Sequence, residues 1–362
     1  MSAVAAPGAL ATAGSAAGFA LVGPEAIDAA AWRALAGATA LPNPYLAPEF
    51  ADAAARFVGA RGLKVAHVAE GRELGALLPV VSDRPWRRRA WTHPYAPLGN
   101  PLARPGALSR LLVGLATDRA LTISHVTGET AFAALREAAD TAGLAVAVVD
   151  EASRATALRE TWRGDAELSR SRRKELRRLA RRLADLGPVS WHTATTIEAV
   201  RTGFAAFVAL EASGWKGRRQ TALASRTGTL QFAREAVTAA AARCSARIDS
   251  LDVGGRPAAM LVSLVAGDTL FAWKMAYREE LAALSPGVQL MLGLPARVFD
   301  ETPCASIDSC ADPDNAMINT LWAERLPVRH LVIGRPGARF MAARELERVE
   351  VRTRALLRRL KR

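Results

Sequence analysis

The sequence predicts an α/β (α+β) chain built as two lobes in tandem, each a mixed, mainly antiparallel sheet flanked by helices. Three observations carry this expectation. Each half contains a strand, a Gly-Arg turn and a second strand, VAEGRELGALLPVV in one and LDVGGRPAAMLVSLV in the other. Each of these follows an Ala-rich helix containing a Phe, EFADAAARFV and QFAREAVTAAAARC, which points to an internal duplication. At 362 residues, half of them apolar and 23% charged, the chain has the length of about two domains and a globular composition.

The first twenty residues, MSAVAAPGALATAGSAAGFA, lack the Lys or Arg of a signal peptide's charged region. Pro7, Gly8, Gly14 and Gly18 interrupt any apolar core, so residues 1–20 are expected to form a disordered tail. Helices follow at 25–37 and 48–60. LKVAHVA (63–69) and LGALLPVV (74–81) flank Glu70 to Glu73 as a hairpin. The Pro- and Trp-rich text from Pro85 to Pro105 is expected as loop with short extended pieces. A helix at 106–119, a strand LTISHV (121–126), a helix at 129–142 and a strand LAVAVVD (144–150) complete the first half.

Next comes the most charged segment, SRSRRKELRRLARRLADLG (169–187). Leu176, Leu179, Leu183 and Leu186 fall on one helical stripe, and Gly187-Pro188 ends the helix. Two readings stand: a solvated linker helix resting on its leucines, or a helix that binds phosphate or another polyanion. No aromatic residue lies among the arginines of 170–182 to stack on bases.

A helix at 197–212 leads to GWKG (214–217), and another follows at 228–243. RIDSLDV, PAAMLVSLV and TLFAWKMAY (269–277) then form a meander on Gly254-Gly255 and Gly267-Asp268, both two-residue hairpin signals. Ser285-Pro286-Gly287 opens a helix to about 300, with Ser as N-cap and Pro in the first turn. SIDSCA (306–311) is a short strand and a helix runs from Pro313 to Glu324. The chain is expected to divide into a tail (1–20), an N-terminal lobe (21–165), a basic linker helix (166–187), a C-terminal lobe (188–334) and a basic C-terminal helix (335–362).

Several function classes lose support. There is no G-x-x-x-x-G-K-[ST], strand-linked G-x-G-x-x-G, H-E-x-x-H or G-x-S-x-G motif. The five histidines, at 67, 93, 125, 192 and 330, lack ligand spacing, so no metal site is expected. Cys244, Cys304 and Cys310 form no CxxC pair and leave one cysteine over, which suits a reducing compartment and a cytoplasmic protein, with Cys304 and Cys310 expected as buried structural thiols. No apolar run reaches the ~20 residues of a membrane span. With 48 Lys and Arg against 35 Asp and Glu, the net charge of +13 attracts anionic partners: a cofactor, an acidic polymer or RNA.

A strand leading through a loop to an open helix start makes an anion site, because free N–H groups and the helix dipole converge there. Here the strand is TLFAWKMAY and the helix start is Ser285, Pro286, Gly287, Val288 and Gln289. Residues 204–333 resemble the GNAT-type acetyltransferase domain of the CelD/BioF-like and FemAB-like group. The resemblance rests on FVALEASGWKG (207–217), TALAS (221–225), KMAYREELAALSPGVQLML (274–292), IDSCADPDNAMINTLWAER (307–325) and VRHLVIG (328–334), in that order. NPYLAPEF (43–50) and the first hairpin resemble the first lobe of the same tandem proteins. The resemblance implies acyl transfer from acetyl-CoA or another acyl-CoA to an amine or hydroxyl, with the pyrophosphate on Ser285, Gly287, Val288 and Gln289. The usual Gln/Arg-x-x-Gly-x-Gly/Ala loop is replaced by Ala-Leu-Ser-Pro-Gly-Val, with one glycine retained. FemAB-like proteins use aminoacyl-tRNA instead, which the positive charge also suits.

Three side chains are candidates for chemistry. Asp308, in an apolar strand, is the candidate base, since burial raises a carboxyl pKa. Tyr277, at the strand end, is placed to protonate a leaving thiolate. Lys274 lies between Ala272 and Ala276, and either pairs with Asp308 or stands at the cleft where the strands part. Glu211, Trp215 and Lys216 are expected to shape the acceptor pocket, with core packing as the alternative for Trp215.

Overall fold

The computed structural model describes residues 18–59 and 62–360. Its first half runs β1 (Phe19–Val22), α1 (Ala29–Ala38), α2 (Pro48–Phe57), β2 (Lys64–Glu70), β3 (Glu73–Arg84), β4 (Arg87–Ala90) and β5 (Leu102–Ala103). It continues through α3 (Leu108–Ala116), β6 (Ala120–Thr127), α4 (Glu129–Thr141) and β7 (Ala145–Leu158). The second half runs α5 (Arg170–Ala184), β8 (Val189–Ala194), α6 (Ile197–Ser213), α7 (Trp215–Arg218), α8 (Thr227–Ala241), β9 (Ala246–Val253), β10 (Arg256–Ala266) and β11 (Thr269–Tyr277). Then come α9 (Pro286–Glu301), β12 (Ser306–Asp308), α10 (Ala316–Asn319), β13 (Glu324–Gly334) and α11 (Ala338–Leu360).

One continuous sheet carries both halves, in the order β1-β2-β3-β4-β6-β13-β7-β12-β11-β10-β9-β8, with β5 on β3. Read from either end, this order is the same: an antiparallel meander, then a strand paired in parallel with the next, then a central antiparallel strand. The two parallel pairs, β4 with β6 and β11 with β12, occupy equivalent places. The duplication suggested by the two Gly-Arg hairpins therefore extends through the whole topology. At the centre the halves exchange strands. β13 sits between β6 and β7, while β7 pairs with β12 of the second half.

Three large apolar cores follow from this arrangement, with a fourth, small one where Phe340 and Ala343 of α11 pack on Ala120 and Val332. One joins α1, α3 and α4 to β2, β3 and β6, with Leu331 and Ile333 of β13. A second joins α5 and α9 to β9, β10, β11 and β12. The third is the seam between lobes, where α2 meets α8 and Phe50 stacks edge-on to Phe232 at 5.1 Å between ring centres. Aromatic edge-to-face packing of this kind adds about 1 kcal/mol beyond burial.

Several boundaries differ from the sequence expectation. Residues 1–17 lie outside the described residues, but Phe19 and Ala20, expected in the tail, form β1 against Val68 and His67. The loop with short extended pieces expected at 85–105 holds two of them, β4 and β5; the RRRA text of β4 can form a strand because Asp83, Glu347 and Glu350 neutralise Arg87 and Arg89. β7 runs on to Leu158, well past Asp150, because β13 and β12 both pair with it. β8 was not expected at all. β12 stops at Asp308, short of Ala311, and the helix expected over 313–324 is only α10 before β13 begins. VRHLVIG, expected to close the C-terminal lobe, instead completes the N-terminal sheet, so cuts at 165 and 334 do not separate the lobes' cores. On α5, Leu176, Leu179 and Leu183 are buried in the second core, but Leu186 is 58% exposed beyond the helix end.

Candidate active site

β11 and β12 touch only through Thr269, Leu270 and Phe271 against Ser306, Ile307 and Asp308. β11 then continues to Tyr277 on β10 alone. β12 cannot follow, because Cys310 takes a left-handed φ of 49° and the Ser309 amide donates to the Ala155 carbonyl at 3.3 Å. The result is a gap in the sheet, where β11 beyond Phe271 has β10 as its one strand partner among the described residues.

On one face of the gap stands the start of α9. Ser285 occupies the N-cap position but does not cap as the sequence suggests: its backbone is left-handed (φ 52°, ψ 50°) and its side chain accepts nothing from the helix. The first-turn amides of Gly287 and Val288 consequently stay open, as helix geometry leaves them. Gln289 is spent locally, its Nε2 donating to the Leu284 carbonyl at 2.8 Å. Gly287 is buried against the strand: a Cβ there would lie 3.4 Å from Met275 Cε and 3.6 Å from Tyr277 Cδ1. Tyr277 is half-buried, and its hydroxyl makes no hydrogen bond among the described residues.

The other face holds Lys274. A bulge between Val262 and Ser263 of β10 and β11 breaks the two-residue alternation expected for TLFAWKMAY. Phe271, Trp273 and Ala276 pack into the seam core, while Ala272, Met275 and Tyr277 pack with α9. A bulge turns neighbouring side chains to one side, and Trp273 and Lys274 both meet Tyr95 of the first lobe. Trp273 Nε1 donates to the Tyr95 carbonyl at 2.9 Å, and Lys274 Nζ lies 4.5 Å from the centre of the Tyr95 ring. Among the described residues no carboxylate pairs with this ammonium. Burial, followed by repulsion from Lys216 and against attraction from Glu211, brings the Lys274 pKa down to about 8. The same charge and burial depress His93, and burial with Glu211 raises Tyr95.

The expected Lys274–Asp308 pair does not form. β12 ends opposite Phe271, before the strands reach Lys274. Asp308, 1% exposed, instead pairs with the buried Arg154 and accepts the Cys310 amide at 2.8 Å, so its carboxylate is committed to holding β7 and β12 together. That geometry opposes the base role expected for Asp308. Cys310, beside Tyr45 Oη at 3.3 Å, has its thiol pushed up to about 12 by burial and by Asp308, which leaves it unreactive.

Of the expected acceptor residues, Glu211 is 3% exposed and binds Lys216 Nζ at 3.0 Å and the Leu223 amide at 2.8 Å. Lys216 also donates to the Met275 carbonyl at 2.8 Å, so this pair ties α6 and α7 to the strand beside Lys274. Trp215 is not core: it is 38% exposed, with the Arg219 guanidinium 5.4 Å from its ring centre. Sequence reasoning missed His93 and Tyr95. Their signal was the cluster THPY inside a Pro-rich loop, which only the fold brings across the seam.

A groove of ~900 Å³ between α6 and α8 lies elsewhere, lined by Glu198, Arg201 and Arg234. Glu198 is roughly 20 Å along α6 from Glu211, too far to serve the same centre. Among the described residues no cluster of His, Cys, Asp and Glu is arranged to hold a metal, and no helix is long and apolar enough to cross a membrane.

Residues 170–315 match the family described as the acetyltransferase (GNAT) domain. The match begins at the first residue of α5, the helix whose leucines enter the second core. FemX is 10% identical, with 84% of this chain and 96% of that one covered at a TM-score of 0.54. L-PGS from Bacillus licheniformis is 11% identical, with 88% and 96% covered at a TM-score of 0.50. These likenesses are of fold. No curated protein sequence matches the chain.

Proposed function

We propose that this chain, whose residues 170–315 belong to the GNAT acetyltransferase family, moves an acyl group from acyl-CoA to an amine or hydroxyl acceptor such as a sugar, an amino acid or a polysaccharide precursor. The observation that carries the reading is the parting of β11 and β12 between an uncapped helix start on one face and an unpaired lysine on the other. A donor pyrophosphate on the amides of Gly287 and Val288 sends its thioester into the gap. The acceptor approaches from the seam, past Tyr95, His93 and Trp215. Lys274, with a pKa of about 8, is close enough to neutrality to take the acceptor's proton, and a base is most effective near the working pH. The nucleophile adds to the carbonyl carbon, and backbone N–H groups of the open β11 edge hold the oxyanion. Collapse breaks the C–S bond, and the thiolate takes a proton from Tyr277 on the α9 face. Acyl-CoA is a cytoplasmic donor, so the reaction is placed there. Calorimetric titration with acetyl-CoA and longer acyl-CoAs tests the reading, and no binding by any of them sinks it.

One observation favours a second donor, aminoacyl-tRNA. α5 packs through Leu176, Leu179 and Leu183 beside Leu281 and Leu284, which lead into α9, so its exposed arginines border the donor face. Phosphate-dominated binding to tRNA should weaken steeply with salt in an electrophoretic shift. No shift at low salt removes this donor.

A further inference from the structure

Helix α11 changes character along its length. Its first half is anchored: Phe340, Ala343 and Glu347 are buried on the sheet. Glu347, 0% exposed, binds Arg87 at 2.8 Å and Arg89 at 2.5 Å and faces His330 Nε2 at 2.9 Å. Beyond Glu350 the anchoring stops. Arg352, Thr353 and Arg354 are exposed, and so are Leu356 (58%) and Leu357 (50%). Val349 (58%) lies two turns back from Leu356 on the same side of the helix. From Arg352 to Arg362 the sequence carries six Lys or Arg and no carboxylate. The last acidic group, Glu350, is taken by Arg354 at 3.0 Å.

We infer that the end of α11 is a surface anchor for an anionic phospholipid membrane. Leu356 and Leu357 enter the acyl boundary, and the flanking cations meet lipid phosphates. The pattern is that of an interfacial helix, which combines an apolar strip with a basic polar face and is too short to span. A nucleic acid fits less well, since two adjacent exposed leucines offer nothing to a phosphodiester and the segment has no aromatic side chain to stack on bases. A second copy of the same helix fits less well too, because six cations without a carboxylate repel their own kind. α5 is the internal contrast: equally basic, it buries its leucines in the second core.

The test is vesicle co-sedimentation of the full chain with phosphatidylcholine alone and with phosphatidylcholine containing phosphatidylglycerol. Wild type should partition to the anionic vesicles and be released by salt. Leu356→Asp/Leu357→Asp, made at exposed positions and checked for an unchanged melting curve, should bind about tenfold more weakly or not at all. The inference is overturned by wild type that ignores anionic vesicles, or by a double variant that binds them as wild type does. It is also overturned if sedimentation velocity shows a dimer that the double variant dissolves, or if tRNA is bound through this segment while vesicles are not.

Discussion

Replacing Lys274 by Met should make the protein more stable and less active in one step. The ordinary lysine pKa of 10.5 falls to about 8 in the fold. That difference corresponds to ~3 kcal/mol by which the ammonium is worse placed in the folded than in the unfolded chain. Against this, the contact of Nζ with the Tyr95 ring contributes about 1 kcal/mol, which methionine largely gives up. The net expectation is a gain of ~2 kcal/mol near neutral pH. The sign with pH follows from proton binding. Below a pH of about 8 the lysine is charged in both states and the penalty is present in full. Between about 8 and 10.5 the unfolded chain holds more protons, so wild-type stability rises with pH, and the advantage of Met shrinks to nothing. Urea unfolding followed by tryptophan fluorescence, with wild type and variant compared at neutral and at alkaline pH, measures this directly. Thiol release from acetyl-CoA over a panel of amine and hydroxyl acceptors reports the chemistry, which should fall by roughly 10²–10⁴-fold. A variant no more stable than wild type at neutral pH would mean that Lys274 is a satisfied structural residue, and its assignment as proton acceptor would go with it.

The remaining predictions test neighbouring parts of the site. Wild-type kcat/KM should rise with pH and level off near about 8, the Lys274 value; a profile flat through that range removes Lys274 as base. Gly287→Glu should abolish acyl-CoA binding in calorimetry by filling the donor face. A Cβ there meets Met275 and Tyr277 at ordinary contact distances of 3.4–3.6 Å, so the fold should hold, and parental affinity would place the pyrophosphate elsewhere. Asp308→Asn should cost ~3–5 kcal/mol because it strands Arg154 in the core; full stability with lost activity would instead restore Asp308 as the base. Glu347 is held below its ordinary pKa by His330, Arg89 and Arg87, which together outweigh the opposing effect of its burial. Its contribution is therefore present above a pH of about 4.5 and lost as pH falls through the lowered folded value, so Glu347→Gln should flatten the acid limb of the stability profile.

The second half was the more legible because its two hairpin turns, Gly254-Gly255 and Gly267-Asp268, are plain in the text. Gly254 and Gly255, with φ of 59° and 72°, are the two left-handed residues that a type I′ hairpin demands, and the text alone announces them. β4 was harder to place for the opposite reason. Three consecutive arginines look like loop until Asp83, Glu347 and Glu350, the last two more than 250 positions away, neutralise two of them. The start of α9 was legible from Ser285-Pro286-Gly287, although the serine does not cap. Lys274, Glu211, Trp215 and Lys216, each singled out from the sequence, stand near one another, but His93 and Tyr95 reach them only because the lobes share a seam. The Lys274–Asp308 pair failed because β12 ends opposite Phe271 and Asp308 is taken by Arg154 from β7, which counting along one strand cannot detect.

The pseudo-symmetry of the sheet lets the two lobes be compared at equivalent places. In the first lobe β4 and β6 run parallel only through Arg87–Arg89 against Ala120–Thr122, the counterpart of the β11–β12 contact. A cleft of ~170 Å³ opens past it, lined by Arg89, Trp91, Thr92, Thr122 and Ser124. There, however, Glu347 of α11 comes down on Arg87 and Arg89 and accepts from Thr122 Oγ1 at 3.3 Å. A carboxylate locked between arginines leaves neither charge free for a ligand, and removing one partner would strand the other in a buried site. At the equivalent place in the second lobe the carboxylate, Asp308, is likewise locked, to Arg154. Both lobes have an irregularity at this strand pair, but the β3–β4 one puts its extra residue, Asp83, on β3, whereas the β10–β11 bulge puts it on β11 and brings Lys274 to the gap with no carboxylate partner among the described residues. An ion pair fills the first cleft; an unmatched charge stands at the second.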